Sequence, residues 1–128
     1  MLQTALQDHR PTVLVVEDDA KLSRLLCRAL QLNGLDTHAV GDGFAALERL
    51  RDGSYGAVLL DLGLPGVDGV TVCTALRRQG RTLPVVMLSA RDDIDDIEAG
   101  MHAGATDYIV KPCDLDSLCC RVAVLAAT

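Results

Sequence analysis

The feature that most constrains the fold of this chain is a fivefold alternation of short aliphatic runs with segments of helical spacing. The runs have the length and the composition of strands, and they cover residues 12–16, 37–40, 57–60, 85–88 and 108–110. Apolar residues in the segments between and after them recur at three and four residues, the spacing of one buried helix face. Because a helix separates successive strands, hairpins are excluded. The pattern predicts an α/β fold with a doubly wound parallel sheet covered on both faces.

The expected helix boundaries carry residues suited to helix ends. Aspartate side chains accept hydrogen bonds from free N–H groups at a helix start, and glycine readily adopts the left-handed conformation that closes a helix. The predicted N-caps are Asp19, Asp42, Asp68 and Asp114, and the predicted closing glycines are Gly34, Gly53, Gly80 and Gly104. No linker interrupts this pattern, so we expect residues 1–11 to form a flexible N-terminal extension and residues 12–128 to form one domain.

Composition disfavours several classes of protein. Hydrophobic residues make up 49% of the chain and charged residues 23%, which is typical of a soluble globular domain. The net charge of -6 disfavours direct nucleic-acid binding, because such a surface repels phosphate backbones. No apolar run approaches the length of a membrane span, so we expect a cytoplasmic protein without membrane contact. The odd number of cysteines, 5, favours reduced thiols over a disulfide framework.

Reactive side chains follow four of the five predicted strands. Glu17 and Asp18 follow the first strand, Asp61 follows the third, Ser89 the fourth and Lys111 the fifth. Open parallel sheets bind ligands beyond the carboxyl ends of their strands. We therefore expect these side chains to meet at one edge of the sheet, where the first and third strands are neighbours in the common doubly wound orders.

Three carboxylates in one pocket require compensation. At an assumed separation of ~5 Å and an effective dielectric constant of 20, each pair repels by roughly 3 kcal/mol. Protonation, separation or a divalent cation would relieve this repulsion, and an all-oxygen cluster with room for water suits Mg²⁺. Lys111 and Ser89 would add a positive charge and a hydroxyl group, which fit a phosphoryl group. An aspartate can act as the nucleophile in such chemistry, and Asp61 is the candidate.

Four motifs occur in order along the chain. They are VVEDD at residues 15–19, DLGLPGVDG at 61–69, SA at 89–90, and GATDY at 104–108 leading into KP at 111–112. With these motifs the chain resembles the receiver domains of two-component response regulators, in particular the OmpR/PhoB-type subgroup, over about residues 12–125. The resemblance implies a flavodoxin-like (βα)5 fold with strand order 2-1-3-4-5.

The resemblance also implies the chemistry of the site. Asp61 would accept a phosphoryl group from a phosphohistidine on a partner sensor histidine kinase. Mg²⁺ would be held by Glu17, Asp18, Asp61 and the backbone carbonyl of Gly63, and Lys111 would contact the phosphoryl oxygens. The domain would catalyse only its own phosphoryl transfer and hydrolysis, so it would be a regulatory phosphoacceptor rather than an enzyme acting on other substrates.

A switch and an output are implied in the same way. Ser89 would donate a hydrogen bond to the acyl phosphate, Tyr108 is similar to the switch aromatic of the family, and Pro112 would follow a cis peptide bond. Cys113 stands where the family usually has an aromatic residue. Transcription would be regulated through a DNA-binding domain outside this chain.

A homodimer through the fourth helix, fifth strand and fifth helix is common in this subgroup and uses three charge pairs between copies. Asp107 and Arg121 match one pair. The other two positions hold Ile97 with Ser117 and His102 with Ala123, which do not form ion pairs. The resemblance alone therefore leaves this homodimer open.

Two other functions fit the same fold class. A receiver-like domain could act as a docking module without phosphorylation, and measurable stabilisation by Mg²⁺ would count against that function. A flavin-binding electron carrier would also place its cofactor at this edge of the sheet. The acidic residues after the first strand disfavour a flavin phosphate, because Glu17, Asp18 and Asp19 would repel it.

Overall fold

A computed structural model of the chain describes residues 10–127. Five strands alternate with five helices, as the sequence pattern predicts, and each predicted strand agrees with the structure to within one residue at either end. The elements are β1 (Thr12–Val16), α1 (Ala20–Leu32), β2 (Asp36–Val40), α2 (Gly43–Asp52), β3 (Ala57–Asp61), α3 (Gly69–Arg78), β4 (Val85–Ser89), α4 (Ile94–His102), β5 (Asp107–Val110) and α5 (Leu115–Ala127).

The strands form one parallel sheet in the order β2-β1-β3-β4-β5, which confirms the predicted fold class and strand order. All residues of β3 and β4 are buried, whereas the edge strands β2 and β5 are only partly covered. Central strands that contact helices on both faces have no solvent-facing side, which explains why their sequences are continuously apolar.

Two hydrophobic clusters lie on opposite faces of the sheet. Val13 and Val15 point to the face covered by α1 and α5, and Leu14 and Val16 point to the face covered by α2 and α3. This alternation follows the two-residue period of side chains along a strand. Each fully buried aliphatic side chain contributes about 1.5–3 kcal/mol, so the two clusters hold the strand ends in a fixed order beside one another.

The helix ends agree with most of the predicted caps. The side chains of Asp19, Asp42 and Asp68 accept backbone N–H groups of the following helices. Asp114 directly precedes α5, where its carboxylate accepts the hydroxyl of Ser117. The N-cap of α4 is Asp93, which the sequence pattern did not single out.

The prediction of a left-handed glycine after α2 is wrong. Gly34, Gly80 and Gly104 have positive φ angles, but Gly53 has φ -102° and ψ 155°, which is extended backbone. A Cβ atom on Gly53 would lie 2.5 Å from the ring of Tyr55 and 3.0 Å from the carbonyl oxygen of Arg49, so glycine here leaves room for the tyrosine ring to pack against the backbone.

Most of the predicted N-terminal extension lies outside the described residues. Pro11, at its predicted end, accepts a hydrogen bond from the Asp36 N–H at 3.0 Å and is therefore already tied to β2. None of the helices within residues 10–127 is long and apolar enough to cross a membrane.

Candidate phosphoacceptor site

The strand order places four side chains at the carboxyl edge of the sheet. Glu17 directly follows β1, Asp61 ends β3, Ser89 ends β4, and Lys111 directly follows β5. Glu17 is 4% exposed, Asp61 7% and Ser89 3%, so three polar residues are buried at this edge. The neighbouring positions of β1 and β3 bring Glu17 and Asp61 together, as the sequence predicted.

Glu17, Asp18 and Asp61 form an acidic cluster. Each residue offers one carboxylate oxygen, and these oxygens all lie within 4.8 Å of one another. Asp18 is exposed, so the cluster opens to solvent on one side. An all-oxygen donor set with an open side suits a hard divalent cation that keeps part of its water shell. The residues present therefore fit a Mg²⁺ ion.

Lys111 bridges the two buried acids. Its Nζ atom lies 3.4 Å from Oε1 of Glu17 and 3.5 Å from Oδ1 of Asp61. The N–H of Lys111 donates to the carbonyl oxygen of Ser89 at 2.7 Å, which fixes the start of its side chain beside β4. The Lys111-Pro112 peptide bond is cis, as the family resemblance implies. The bridge supplies one positive charge to a cluster of three acids.

Burial perturbs the ionisation of Glu17. Desolvation is the largest cause that raises its pKa, and the neighbouring Asp61 charge raises it further, while the Asp19 N–H that donates to Oε2 at 3.1 Å opposes the rise. The resulting pKa is about 7. The Lys111 ammonium group also favours the charged form of Glu17. Its attraction to the carboxylates opposes the repulsion among the three acids.

Gly63 lies directly beside the carboxylate of Asp61. The N–H of Gly63 donates to Oδ1 of Asp61 at 3.2 Å, and a Cβ atom on Gly63 would lie 3.8 and 3.9 Å from the two carboxylate oxygens with no other heavy atom among its nearest contacts. A side chain at this position would contact both carboxylate oxygens, and glycine leaves that space free. The structure places the backbone of Gly63 directly beside the acidic cluster.

Ser89 and Tyr108 meet at a residue that the sequence did not single out. The Arg91 N–H donates to Oγ of Ser89 at 3.0 Å, and the Tyr108 hydroxyl donates to the Arg91 carbonyl at 2.9 Å. The Tyr108 ring packs against α4, where a Cβ atom on Gly100 would lie 3.0 Å from it. The turn after β4 thus connects the buried serine to an aromatic ring on β5. A serine hydroxyl in a turn often accepts the backbone N–H two residues further along the chain. The serine at position 89 could therefore have indicated its contact with Arg91.

The two residues that match the dimer contact of the subgroup are paired with each other within one chain. Arg121 Nη1 donates to Oδ2 of Asp107 at 2.9 Å, with both side chains partly exposed. An ion pair between two copies at these positions would have to replace this internal pair.

No cysteine or histidine within residues 10–127 belongs to a group that could hold a metal ion. All five cysteines are free; Cys73 and Cys119 are buried, Cys120 is exposed, and burial raises the pKa of both buried thiols. His9 lies outside the described residues. Among the histidine, cysteine, aspartate and glutamate side chains of residues 10–127, one group of three lies close enough together to hold a metal ion. It consists of Glu17, Asp18 and Asp61.

Comparisons with known proteins agree on one family. The family model of the response regulator receiver domain matches residues 13–123. The transcriptional regulatory protein TcrA of Mycobacterium tuberculosis is 46% identical over 114 residues, which are 89% of this chain and 45% of that protein. The DNA-binding response regulator MtrA of Mycobacterium leprae is 44% identical over 113 residues, 88% of this chain and 50% of that protein. The chain thus spans about half the length of the curated relatives it matches.

Solved structures share the fold. The receiver domain of the Francisella response regulator 1452 superposes with a TM-score of 0.88 at 34% identity and covers 92% of this chain and 98% of that one. The chemotaxis response regulator CheY4 of Vibrio cholerae superposes with a TM-score of 0.84 at 24% identity, and the match covers 91% of this chain and 98% of that one. At this identity the likeness concerns the fold alone.

Proposed function

The chain belongs to the response regulator receiver domain family, and from that premise we propose that it is a phosphorylation-operated signalling switch whose Asp61 accepts a phosphoryl group. One observation carries the proposal: a buried aspartate lies between two other carboxylates and a lysine, with the space beside its oxygens left free by Gly63. A carboxylate so placed can attack a phosphorus atom from that side, and the neighbouring charges can neutralise the transferred group.

We propose that Glu17, Asp18, Asp61 and the backbone carbonyl of Gly63 hold Mg²⁺. The ion would neutralise negative charge on the phosphoryl oxygens. An Asp61 oxygen attacks the phosphorus of a phosphohistidine on a histidine kinase, the P–N bond breaks, and the imidazole leaves with the electron pair and takes up a proton. Lys111, already 3.5 Å from Asp61, turns to the phosphoryl oxygens. Hydrolysis of the acyl phosphate by water resets the domain.

The switch depends on a movement of Ser89. Its Oγ now accepts the Arg91 N–H, and when the hydroxyl moves toward the acyl phosphate to donate a hydrogen bond there, it pulls on the turn that also receives the Tyr108 hydroxyl. The phosphoryl charge thereby biases the surface formed by α4 and β5. The relatives named transcriptional and DNA-binding regulators support the OmpR/PhoB-type subgroup and a DNA-binding output domain outside these 128 residues. Signalling would take place in the cytoplasm.

A homodimer through α4, β5 and α5 would be weak. It would keep one of the three ion pairs of the subgroup. Because Asp107 and Arg121 already pair within the chain, exchanging this pair for one between copies would add little to the free energy of dimerisation. Light scattering of the protein treated with the phosphoryl mimic beryllofluoride would test this, since a tight dimer at micromolar concentration would contradict it.

Phosphorylation is tested with a small-molecule donor. Incubation with phosphoramidate and Mg²⁺ should add one phosphoryl group to the intact mass of the protein, and Asp61→Asn should abolish the addition. The matched control Asp68→Asn, an exposed cap of α3, should react like the wild type. A wild-type protein that gains no phosphoryl group would overturn the proposal and favour a docking module without phosphorylation.

A further inference from the structure

Two neighbouring helices on one face of the sheet begin with the same pair of residues. α2 starts after Asp42 with Gly43, and α3 starts after Asp68 with Gly69. In each pair the aspartate is the N-cap, and its side chain accepts a backbone N–H of the helix that follows. Capping therefore explains the two aspartates, but it does not explain the two glycines.

Helix formation gives no reason for glycine at these positions. Glycine loses more conformational entropy than alanine when it enters a helix, and it is not a preferred first residue of one. Neither Gly43 nor Gly69 has a positive φ angle, so alanine could adopt the same backbone conformation. Both glycines are buried. The reason for the missing side chains must therefore lie in the atoms that surround them.

The segment that joins β3 to α3 lies against both glycines. We call residues 62–68 the acceptor loop. The loop follows the proposed phosphoacceptor Asp61 and contains Gly63, whose backbone carbonyl is a proposed Mg²⁺ ligand. More than half of its residues are exposed. The position of its backbone therefore depends on the contacts that neighbouring elements make with it.

The two glycines approach opposite ends of the acceptor loop. A Cβ atom on Gly43 would lie 2.2 Å from the carbonyl oxygen of Val67, near the end of the loop. A Cβ atom on Gly69 would lie 2.5 Å from Cδ2 of Leu62 and 3.0 Å from the carbonyl oxygen of Asp61, where the loop begins. The starts of α2 and α3 thus contact the loop so closely that no methyl group fits between them.

A methyl group at either position would displace the loop rather than a helix. Both helices are anchored in the core by fully buried side chains, which are Ala46, Leu50, Val72 and Leu76. Relief of a contact as short as that between Gly43 and Val67 requires a backbone shift of roughly 1 Å. Metal sites keep their ligand distances to within about 0.2 Å, so a shift of this size misplaces a ligand.

We propose that Gly43 and Gly69 are positioning residues of the Mg²⁺ site. Because they have no side chains, α2 and α3 contact the acceptor loop at both of its ends. These contacts set where the Asp61 carboxylate and the Gly63 carbonyl lie relative to each other. Neither glycine is itself a proposed ligand. This inference rests on the proposed function, because it concerns the metal site which that function requires.

The affinity for Mg²⁺ tests the proposal. Gly43→Ala and Gly69→Ala should each raise the Kd for Mg²⁺ at least ~10-fold in isothermal titration calorimetry, as expected when the support of a metal ligand is lost. The matched control is Gly41→Ala, where a Cβ atom would have no heavy atom within 4 Å, and it should bind Mg²⁺ like the wild type. All titrations contain trimethylamine N-oxide, an osmolyte that favours the folded state of destabilised variants.

A second control separates positioning from general stability. Gly100→Ala would place a Cβ atom 2.8 Å from Sδ of Met87 in the core, outside the acceptor loop. It should lower the stability without changing the Kd for Mg²⁺. NMR spectra of the metal-free protein in EDTA give a readout that needs no ion. The amide signal of Gly63 should move in both test variants and stay in place in both controls.

Each outcome decides the role of a glycine. Wild-type affinity for Mg²⁺, or an unmoved Gly63 signal, in Gly43→Ala or Gly69→Ala would overturn the positioning role of that residue. An equal loss of affinity in Gly100→Ala would overturn both roles, since lower stability would then explain the effect. A test variant that stays unfolded in the osmolyte would assign its glycine to the fold as a whole and overturn its positioning role. If the wild type binds no Mg²⁺, the metal site of the proposed function is refuted, whereas the Gly63 signal still decides whether the glycines position the loop.

Discussion

The sharpest consequence of the acidic cluster is that Glu17 destabilises the metal-free domain at high pH. The pKa of Glu17 is about 7 in the folded protein against 4.5 for an ordinary glutamate. Because the folded-state value is higher, the stability that this group provides is complete below about pH 4.5 and is lost as pH rises through 7. Replacing Glu17 by glutamine removes the charge and keeps an oxygen that can accept the Asp19 N–H.

The size of the effect follows from that pKa. Each unit of difference corresponds to about 1.4 kcal/mol, so complete ionisation of Glu17 would cost up to ~3 kcal/mol. Solvent screens part of this cost, because the cluster is open to water at the exposed Asp18. We therefore expect Glu17→Gln to raise the free energy of unfolding by about 1–2 kcal/mol at pH 8 in EDTA. The gain should disappear near pH 4.5.

Urea denaturation at pH 4.5, 6 and 8 measures this difference, with Glu48→Gln as the control at an exposed glutamate. Adding Mg²⁺ at pH 8 should reverse the order, because the wild type gains binding energy that the variant has lost with its ligand. A Glu17→Gln protein that is less stable than the wild type in EDTA at pH 8 would refute the reasoning, since Glu17 would then stabilise the cluster rather than strain it.

Three other outcomes follow from the structure. Saturating Mg²⁺ should raise the melting temperature more at pH 8 than at pH 5.5 in differential scanning fluorimetry, because Glu17 must lose its proton to bind the ion. An equal rise at both pH values would contradict the assignment of Glu17 as a ligand. Tyr108→Phe should lower the free energy of unfolding by about 1 kcal/mol through loss of the hydroxyl bond to Arg91, and leave phosphoramidate reactivity unchanged. Gly100→Ala should cost about 1–3 kcal/mol in urea denaturation, since its Cβ would lie 2.8 Å from Sδ of Met87, and a neutral result would mean that α4 shifts freely.

The sequence predicted the parts of the fold that depend on local patterns. Strand length, helical spacing and the caps at Asp19, Asp42 and Asp68 are properties of short segments, and the structure confirms them. Gly53 shows where this reasoning stops. Its position after a helix suggested a left-handed turn, but its backbone is extended, and the absence of a side chain leaves room for the ring of Tyr55, two residues further on.

The composition of the site was predictable because strand ends in a parallel sheet share one edge. The contacts inside it were not. Lys111 bridges Glu17 and Asp61 because of the directions in which these side chains point, and Lys111 and Glu17 are 94 positions apart in the chain. Arg91 contributes through its backbone N–H and carbonyl, which every residue type except proline has, so its identity gave no signal.

The Asp107–Arg121 pair shows a further limit of resemblance. Two residues that match a contact between copies of a protein can also pair inside one chain, as they do here at 2.9 Å. Only the fold shows that the start of β5 and the middle of α5 are close enough for this.

The most direct measurement of the central claim is the rate of phosphorylation by phosphoramidate with and without Mg²⁺, followed by peptide mapping of the modified residue. If the buried acids and the lysine form a cation-dependent phosphoacceptor, the phosphoryl group should appear only with Mg²⁺, and only on the peptide that contains Asp61. Equal rates in EDTA, or a phosphoryl group on any other residue, would contradict this account of the site.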